Sequence, residues 1–251
     1  MRGNNIQKKV AGAALVSAMA FGASAAHAEL SGNIGVYSKY VLRGITAAAE
    51  NSNTAVQGGL DYAHDSGFYA GWWASNLDYT YYSDPVDDPV SSGFENDFYV
   101  GFAPSFGDYG FDVGVIQYYY IGVDDSDLTE AVLAFNFLDG YVQAQYLIND
   151  GFWGNSGDIY WTAGYAFALP ADFSLAVDIG YYTYDDDDND ELGGVTLQDS
   201  GFRHANLTLS HPIGSTGADM AVTYIFGGED RAEQEQGDTM VLSVSYKFGI
   251  I

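Results

Sequence analysis

Stretches of roughly ten residues, about a dozen of them, alternate apolar with polar or very small side chains, and this cadence limits what the chain can fold into. In residues 239–248, Met240, Leu242, Val244, Tyr246 and Phe248 fall on one face, and Val241, Ser243, Ser245 and Lys247 on the other. A period of two over that length is a β-strand with an apolar side and a polar side. Nearly every such stretch has this form, and no segment of helical periodicity is present to cover the apolar faces. Lipid is the remaining partner for them. With an export signal at the start, the pattern predicts an all-β fold, a transmembrane antiparallel up-and-down β-barrel of about twelve strands.

The export signal is read from Arg2, Lys8 and Lys9, from the apolar and small residues of 10–23, and from the A-x-A site Ala26-His27-Ala28. The expected organisation is a signal peptide over 1–28 and one barrel domain over 29–251. The signal holds three of the eight Lys and Arg, so five remain against all thirty-four Asp and Glu, a formal charge of −29. Such a balance excludes nucleic acid as a partner, because phosphate recognition needs a basic footprint. Cysteine is absent, which rules out a disulfide framework and a thiolate metal site.

The alternation places strands at 30–42, 54–64, 68–78, 94–103, 110–120, 128–138, 141–149, 159–168, 173–184, 201–211, 219–226 and 239–248. Their connections are alternately short and long. Short turns belong at the periplasmic rim and long loops outside, and an even strand count returns both termini to the periplasm. Pro104, Pro170 and Pro212 fall in the short turns and Pro85 and Pro89 in a long loop, so none removes a ladder hydrogen bond. On 173–184, Phe173, Leu175, Val177, Ile179 and Tyr181 oppose Ser174, Ala176, Asp178, Gly180 and Tyr182. The first set must take the lipid, since Asp178 would be costly against hydrocarbon. Tyrosine clusters at 79–82, 118–120 and 181–184 lie towards the long loops and suggest an outer aromatic girdle.

Ser38-Lys39-Tyr40-Val41-Leu42-Arg43-Gly44-Ile45-Thr46, then Gln57-Gly58-Gly59-Leu60-Asp61-Tyr62 and Ser66-Gly67-Phe68-Tyr69-Ala70-Gly71-Trp72, carry a resemblance. The chain resembles the TorF-type porin family, a proteobacterial outer-membrane family formerly of unknown function. The resemblance implies an outer-membrane barrel and brings no catalytic residues with it. One departure is the chain end, which continues past Phe248 as Gly249-Ile250-Ile251, with Ile250 keeping the outward parity.

Inward parity selects Lys39, Asp61, Asp112, Glu130, Asp178 and Lys247 as pore-lining residues, with Arg43 at the outer mouth. Inward Gly35, Gly59, Gly71, Gly101, Gly114, Gly164, Ala176 and Gly180 are expected to leave room in the lumen. Barrels of about eight strands are filled by side chains and those of about sixteen hold an aqueous channel, so twelve predicts a narrow pore. The long loops hold 21 of the 34 acidic residues, opposed only by Arg43 and Arg231, an arrangement that draws cations to the mouth. The run Asp185-Asp186-Asp187-Asp188-Asn189-Asp190-Glu191 fails the EF-hand template, having Asp190 at position six and Thr196 at position twelve.

Three histidines follow the signal, His64, His204 and His211, and no Gly-x-Ser-x-Gly elbow accompanies them. The sequence therefore predicts no catalytic residue, cofactor or resident metal. It predicts a cation-leaning channel for small hydrophilic solutes in a Gram-negative outer membrane. The partners expected are outer-membrane lipids, lipopolysaccharide and the barrel-assembly machinery. The alternative is a closed structural or surface-binding barrel whose loops contact lipopolysaccharide, divalent ions or another cell.

Overall fold

The computed structural model describes residues 28–46, 53–79, 92–186 and 195–251. The expected signal peptide lies outside the described residues apart from Ala28, and the Asp-rich run lies outside them beyond Asp186. The strands are β1 (Glu29–Tyr37), β2 (Ala55–Ala63), β3 (Phe68–Asn76), β4 (Phe94–Phe102), β5 (Ser105–Phe106), β6 (Tyr109–Ile121), β7 (Leu128–Phe137), β8 (Gly140–Leu147), β9 (Ile159–Ala168), β10 (Ser174–Thr183), β11 (Ser200–Pro212), β12 (Ala218–Gly227) and β13 (Thr239–Gly249). β5 is a two-residue ribbon in the turn between β4 and β6, so twelve strands build the wall. Each pairs antiparallel with its neighbours, and β1 pairs with β13 to close the ring. Closure leaves no open edge, so every strand's backbone groups are paired where no water could satisfy them.

The register turns the sequence pattern into two surfaces. Across the closing seam Ile34 pairs with Tyr246 and Val36 with Val244, and all four point outward and are exposed. The seam continues past β13, where Ile250 donates its N–H to Leu30 O and Leu30 donates to Ile251 O. Outward aromatics gather at the short-turn rim in touching pairs: Tyr109 with Phe135, Tyr165 with Phe167, Tyr246 with Phe248 and Tyr62 with Phe68. Of the tyrosines assigned to an outer girdle, Tyr119 and Tyr181 do face out, but Tyr118, Tyr120 and Tyr182 point inward. Tyr81 and Tyr82 lie outside the described residues. Alternation splits each cluster between the two faces.

The inward glycines do not leave the space expected of them. A Cβ on Gly164 would stand 2.6 Å from the Tyr141 ring, and one on Gly35 2.7 Å from Tyr37. Tyr99 lies over Gly71 in the same way, and Tyr69 over Gly101 and Gly114. Each of these missing side chains admits a tyrosine ring from the same or a nearby strand. Much of the interior is thereby packed. Tyr69, Tyr99, Ile116, Val132 and Leu147 join one buried cluster with Tyr40 and Leu77.

The first strand is shorter than its expected 30–42 and ends at Tyr37. Past Tyr37 the apolar run Tyr40-Val41-Leu42 leaves the wall, although runs such as Tyr118-Tyr119-Tyr120 stay within it. The chain turns inside the barrel, where Tyr40 and Val41 are buried and Leu42 packs on the interior cluster.

Candidate functional site

The segment 38–46 is fixed at both ends and in the middle. Ser38 donates its N–H to Leu242 O at 2.8 Å and accepts the Leu242 N–H on its hydroxyl at 3.0 Å. Thr46 takes the Gln236 amide oxygen on its N–H at 2.8 Å and gives its hydroxyl to Gly237 O at 2.8 Å. Between these anchors the chain bends through Arg43 and Gly44, with φ of 47° and 73°. Gly44 is needed there twice over: its φ suits glycine, and a Cβ would lie 2.5 Å from His204 Cβ.

The surface that receives this bend is made by a β-bulge. The β10–β11 register shifts after Gly180, which pairs with His204, so that Tyr181 pairs with Phe202 and Arg203 is the extra residue. Bulges re-aim side chains, and here both Arg203 and His204 are buried, with Arg203 Nε donating to Arg43 O at 3.0 Å.

From that bend Arg43 crosses to the far wall. Its guanidinium meets Glu130 of β7 in two hydrogen bonds of 2.8 and 2.6 Å, and donates to Tyr182 Oη at 2.7 Å and Tyr118 Oη at 3.2 Å. It also lies over the Tyr160 ring, 4.3 Å from the centroid. Glu130 is further held by Tyr118 Oη at 2.8 Å and Gln145 Nε2 at 3.0 Å. Five consecutive strands, β6 to β10, thus supply one side chain each to a single guanidinium cluster. Fork-to-carboxylate pairing with added phenol donors and a ring face is how a cation is held when little water reaches it. The sequence placed Arg43 at the outer mouth. It lies inside the wall, paired to Glu130, because segment 38–46 folds inward instead of rising as an open loop.

Beside this cluster is a cavity of ≈ 70 Å³, lined among others by Glu95, Asp97, Tyr40, Tyr118, Asp178 and His204. At ~10–15 Å³ for each water centre, it has room for several water molecules. Glu95 accepts the Tyr120 hydroxyl at 3.0 Å. Asp97, two residues along the same face of β4, is 1 % exposed, and neither of its carboxylate oxygens has a hydrogen-bond partner. Neither residue is among those selected from the sequence, although their spacing of two puts them on one face of β4. Glu95-Asn96-Asp97 reads as one more acidic patch near a loop, and Asn96 faces outward, where Trp72 Nε1 bonds it at 3.1 Å.

The remaining selected residues do not form one constellation. Asp61 accepts from Asn33 Nδ2 at 3.2 Å and from Tyr99 Oη, while Asp112 accepts from Tyr69 Oη at 2.8 Å, both in the half nearer the short turns. Asp178 takes Asn206 Nδ2 at 2.9 Å. Lys39 reaches Thr239 Oγ1 at 2.9 Å, at the loop end of β13, whereas Lys247 sits beside Asn33 near the other end. Thr239, which holds Lys39, and Lys247 lie towards opposite ends of β13. Glu130 and Arg43 are the two selected residues that meet.

Nor do the histidines assemble with a serine in the lumen. His204 has Tyr160 Oη at 2.6 Å from Nε2 and Asn206 Oδ1 at 3.2 Å from Nδ1. His211 bonds Ala171 O at 3.1 Å on the short-turn rim. His64 Nδ1 accepts the Ser66 N–H at 3.1 Å with the Ser66 hydroxyl 2.9 Å away, which closes the turn between β2 and β3.

At the outer rim Arg231 joins three loops. It pairs with Asp158, bonds Thr196 Oγ1 at 3.0 Å and lies over the Tyr184 ring at 4.9 Å. Asp158 in turn accepts the N–H groups of Asn155 and Asp185.

The barrel resembles solved outer-membrane channels. It aligns with the COG4313 outer membrane channel from Pseudomonas putida F1 at a TM-score of 0.56 and 12% identity, covering 94% of this chain and 100% of that one. The outer membrane protein OprD from Pseudomonas aeruginosa aligns at a TM-score of 0.42 and 14% identity, and this chain spans 66% of its length. No curated protein matches the sequence. Residues 20–248 match the family described as bacterial protein of unknown function (Gcw_chp), and the chain belongs to that family.

Proposed function

We propose that this chain is an outer-membrane, porin-like channel that passes small hydrophilic solutes with a preference for cations, and that segment 38–46 is its constriction. One observation carries the reading. Inside a closed wall, next to a segment folded across the lumen, lies a cavity whose lining includes the charged residues Glu95, Asp97, Asp178, Arg43 and Lys39. Transport is passive: acidic outer loops concentrate cations, and the fixed charges beside the constriction set the barrier. The resemblance to the TorF-type porins and the fold shared with an outer membrane channel point the same way.

The test is single-channel conductance of the refolded mature protein in a planar bilayer with a salt gradient across it. Discrete steps, with a reversal potential of the cation-selective sign, are expected. A folded, heat-modifiable barrel that never conducts sinks the proposal. A second reading, a closed structural or surface-binding barrel, is favoured by the packed cluster around Tyr69, Tyr99 and Tyr40 that fills one side of the interior. Its expected signature is calcium-dependent binding of the loops to lipopolysaccharide by a barrel that never conducts.

A further inference from the structure

We propose that Glu95 and Asp97 form a seat for the guanidinium or ammonium group of a small organic cation in the lumen, an assignment that rests on the channel reading above. Charge balance points there first. Arg43 lies close enough to act on Glu95, Asp97 and Glu130, but its hydrogen-bonding edge is spent on Glu130. Lys39 bonds Thr239 at the rim, and Arg203 turns its Nε to the Arg43 carbonyl. Among the described residues no basic side chain is bonded to Glu95 or Asp97, and buried charges are ordinarily paired.

Asp97 is the independent observation. It is 1 % exposed, lines the cavity, and offers two carboxylate oxygens that no group in the protein bonds. A group left so holds a buried desolvation cost that a donor in the cavity would relieve.

The chemistry of the donor is read from the lumen itself. Arg43 is held by a carboxylate, by phenol oxygens and by a tyrosine face. The cavity repeats those elements, with Glu95 and Asp97 as carboxylates and Tyr40 and Tyr118 among its walls. The donor set suits a planar or ammonium cation better than a hard metal ion. Calcium takes about six to eight oxygens, and among the described residues no three Asp, Glu, His or Cys side chains are placed to hold a metal. The cavity's size admits a single small cationic group.

The experiment is saturation-transfer NMR of methylguanidinium with the refolded full barrel in micelles, alongside its neutral counterpart methylurea. Wild-type protein is expected to bind methylguanidinium saturably and methylurea not at all. Glu95→Gln and Asp97→Asn should each weaken binding about tenfold or more, the loss expected when a charged hydrogen-bond partner is removed. Asp112→Asn, which alters the carboxylate bonded to Tyr69, should leave it unchanged. Equal binding of methylurea, binding indifferent to both variants, or displacement by an equal concentration of potassium overturns the assignment. The comparison of the two probes on wild-type protein keeps the test decisive if a variant fails to fold. Binding is read at equilibrium, so a barrel that binds without conducting removes the channel reading and keeps the seat. One that conducts without binding does the reverse.

Discussion

A guanidinium gripped by two carboxylate oxygens and two phenols cannot be removed without leaving its partner charge behind. The Glu130 side chain is 4% exposed, and Arg43→Ala strands it. Breaking a buried pair from one side costs about 3 kcal/mol, and this loss should appear as a lower midpoint in denaturant unfolding from lipid or detergent. Arg43→Ala/Glu130→Gln should recover most of it, because no charge is then left alone. Both proteins should conduct in larger steps than wild type. A single variant as stable as wild type would show that the pair does not hold the segment. Gly44→Ala tests the same contact without touching charge, since its Cβ meets His204 Cβ at 2.5 Å. It should free segment 38–46 and raise conductance while Glu130 keeps a mobile Arg43 within reach. At this scale the sequence was half legible. Residue type and parity put Glu130 inside the barrel, but parity carries no information about which residue across the lumen it meets. Arg43 is 87 positions away in the chain and reaches it only because segment 38–46 turns inward.

At the level of elements, the twelve strands were readable because an apolar wall facing lipid and an interior facing side chains impose a period of two on each of them. The deviations are the places where that rule is suspended. Tyr40-Val41-Leu42 leaves the wall although similar apolar runs remain in strands, and Arg203 adds a residue to β11 that no pattern announces. The inward glycines looked like space because a sequence does not say which ring occupies a missing side chain; Gly71, Gly101 and Gly114 are each covered by a tyrosine. The inward segment can be tested directly. Thr46 and Gly237 are bonded, and a Cβ on Gly237 would stand 3.9 Å from Thr46 Oγ1. Replacing both with cysteine in a chain that has none gives a single, unambiguous disulfide. If the segment must shift for solute to pass, oxidation should suppress conductance and a reductant should restore it. Steps that are identical in the two states would make the segment a fixed wall.

For the whole molecule, the proposed channel raises the question of where a cation preference would reside. Of the thirty-four acidic residues, 21 fall in the long connections of the sequence, and a few carboxylates line the cavity within. These two sets respond differently to salt. Charges on solvated loops act on passing ions through water, over a screening length of about 10 Å at 0.1 M and about 3 Å at 1 M. Carboxylates beside a narrow cavity act at contact distance, where mobile ions cannot intervene. Raising salt from the first concentration to the second should therefore erase the part of the cation preference that comes from the loops and spare the part set by Glu95, Asp97 and Asp178. A residual preference at 1 M is expected, and Asp97→Asn should diminish it. Neutralising Asp186 and Asp199 in the outer loop should change only the low-salt value. The reversal potential under a fixed concentration ratio reads both quantities. A preference that vanishes entirely at 1 M would place selectivity in the loops and leave the inner carboxylates with a structural role.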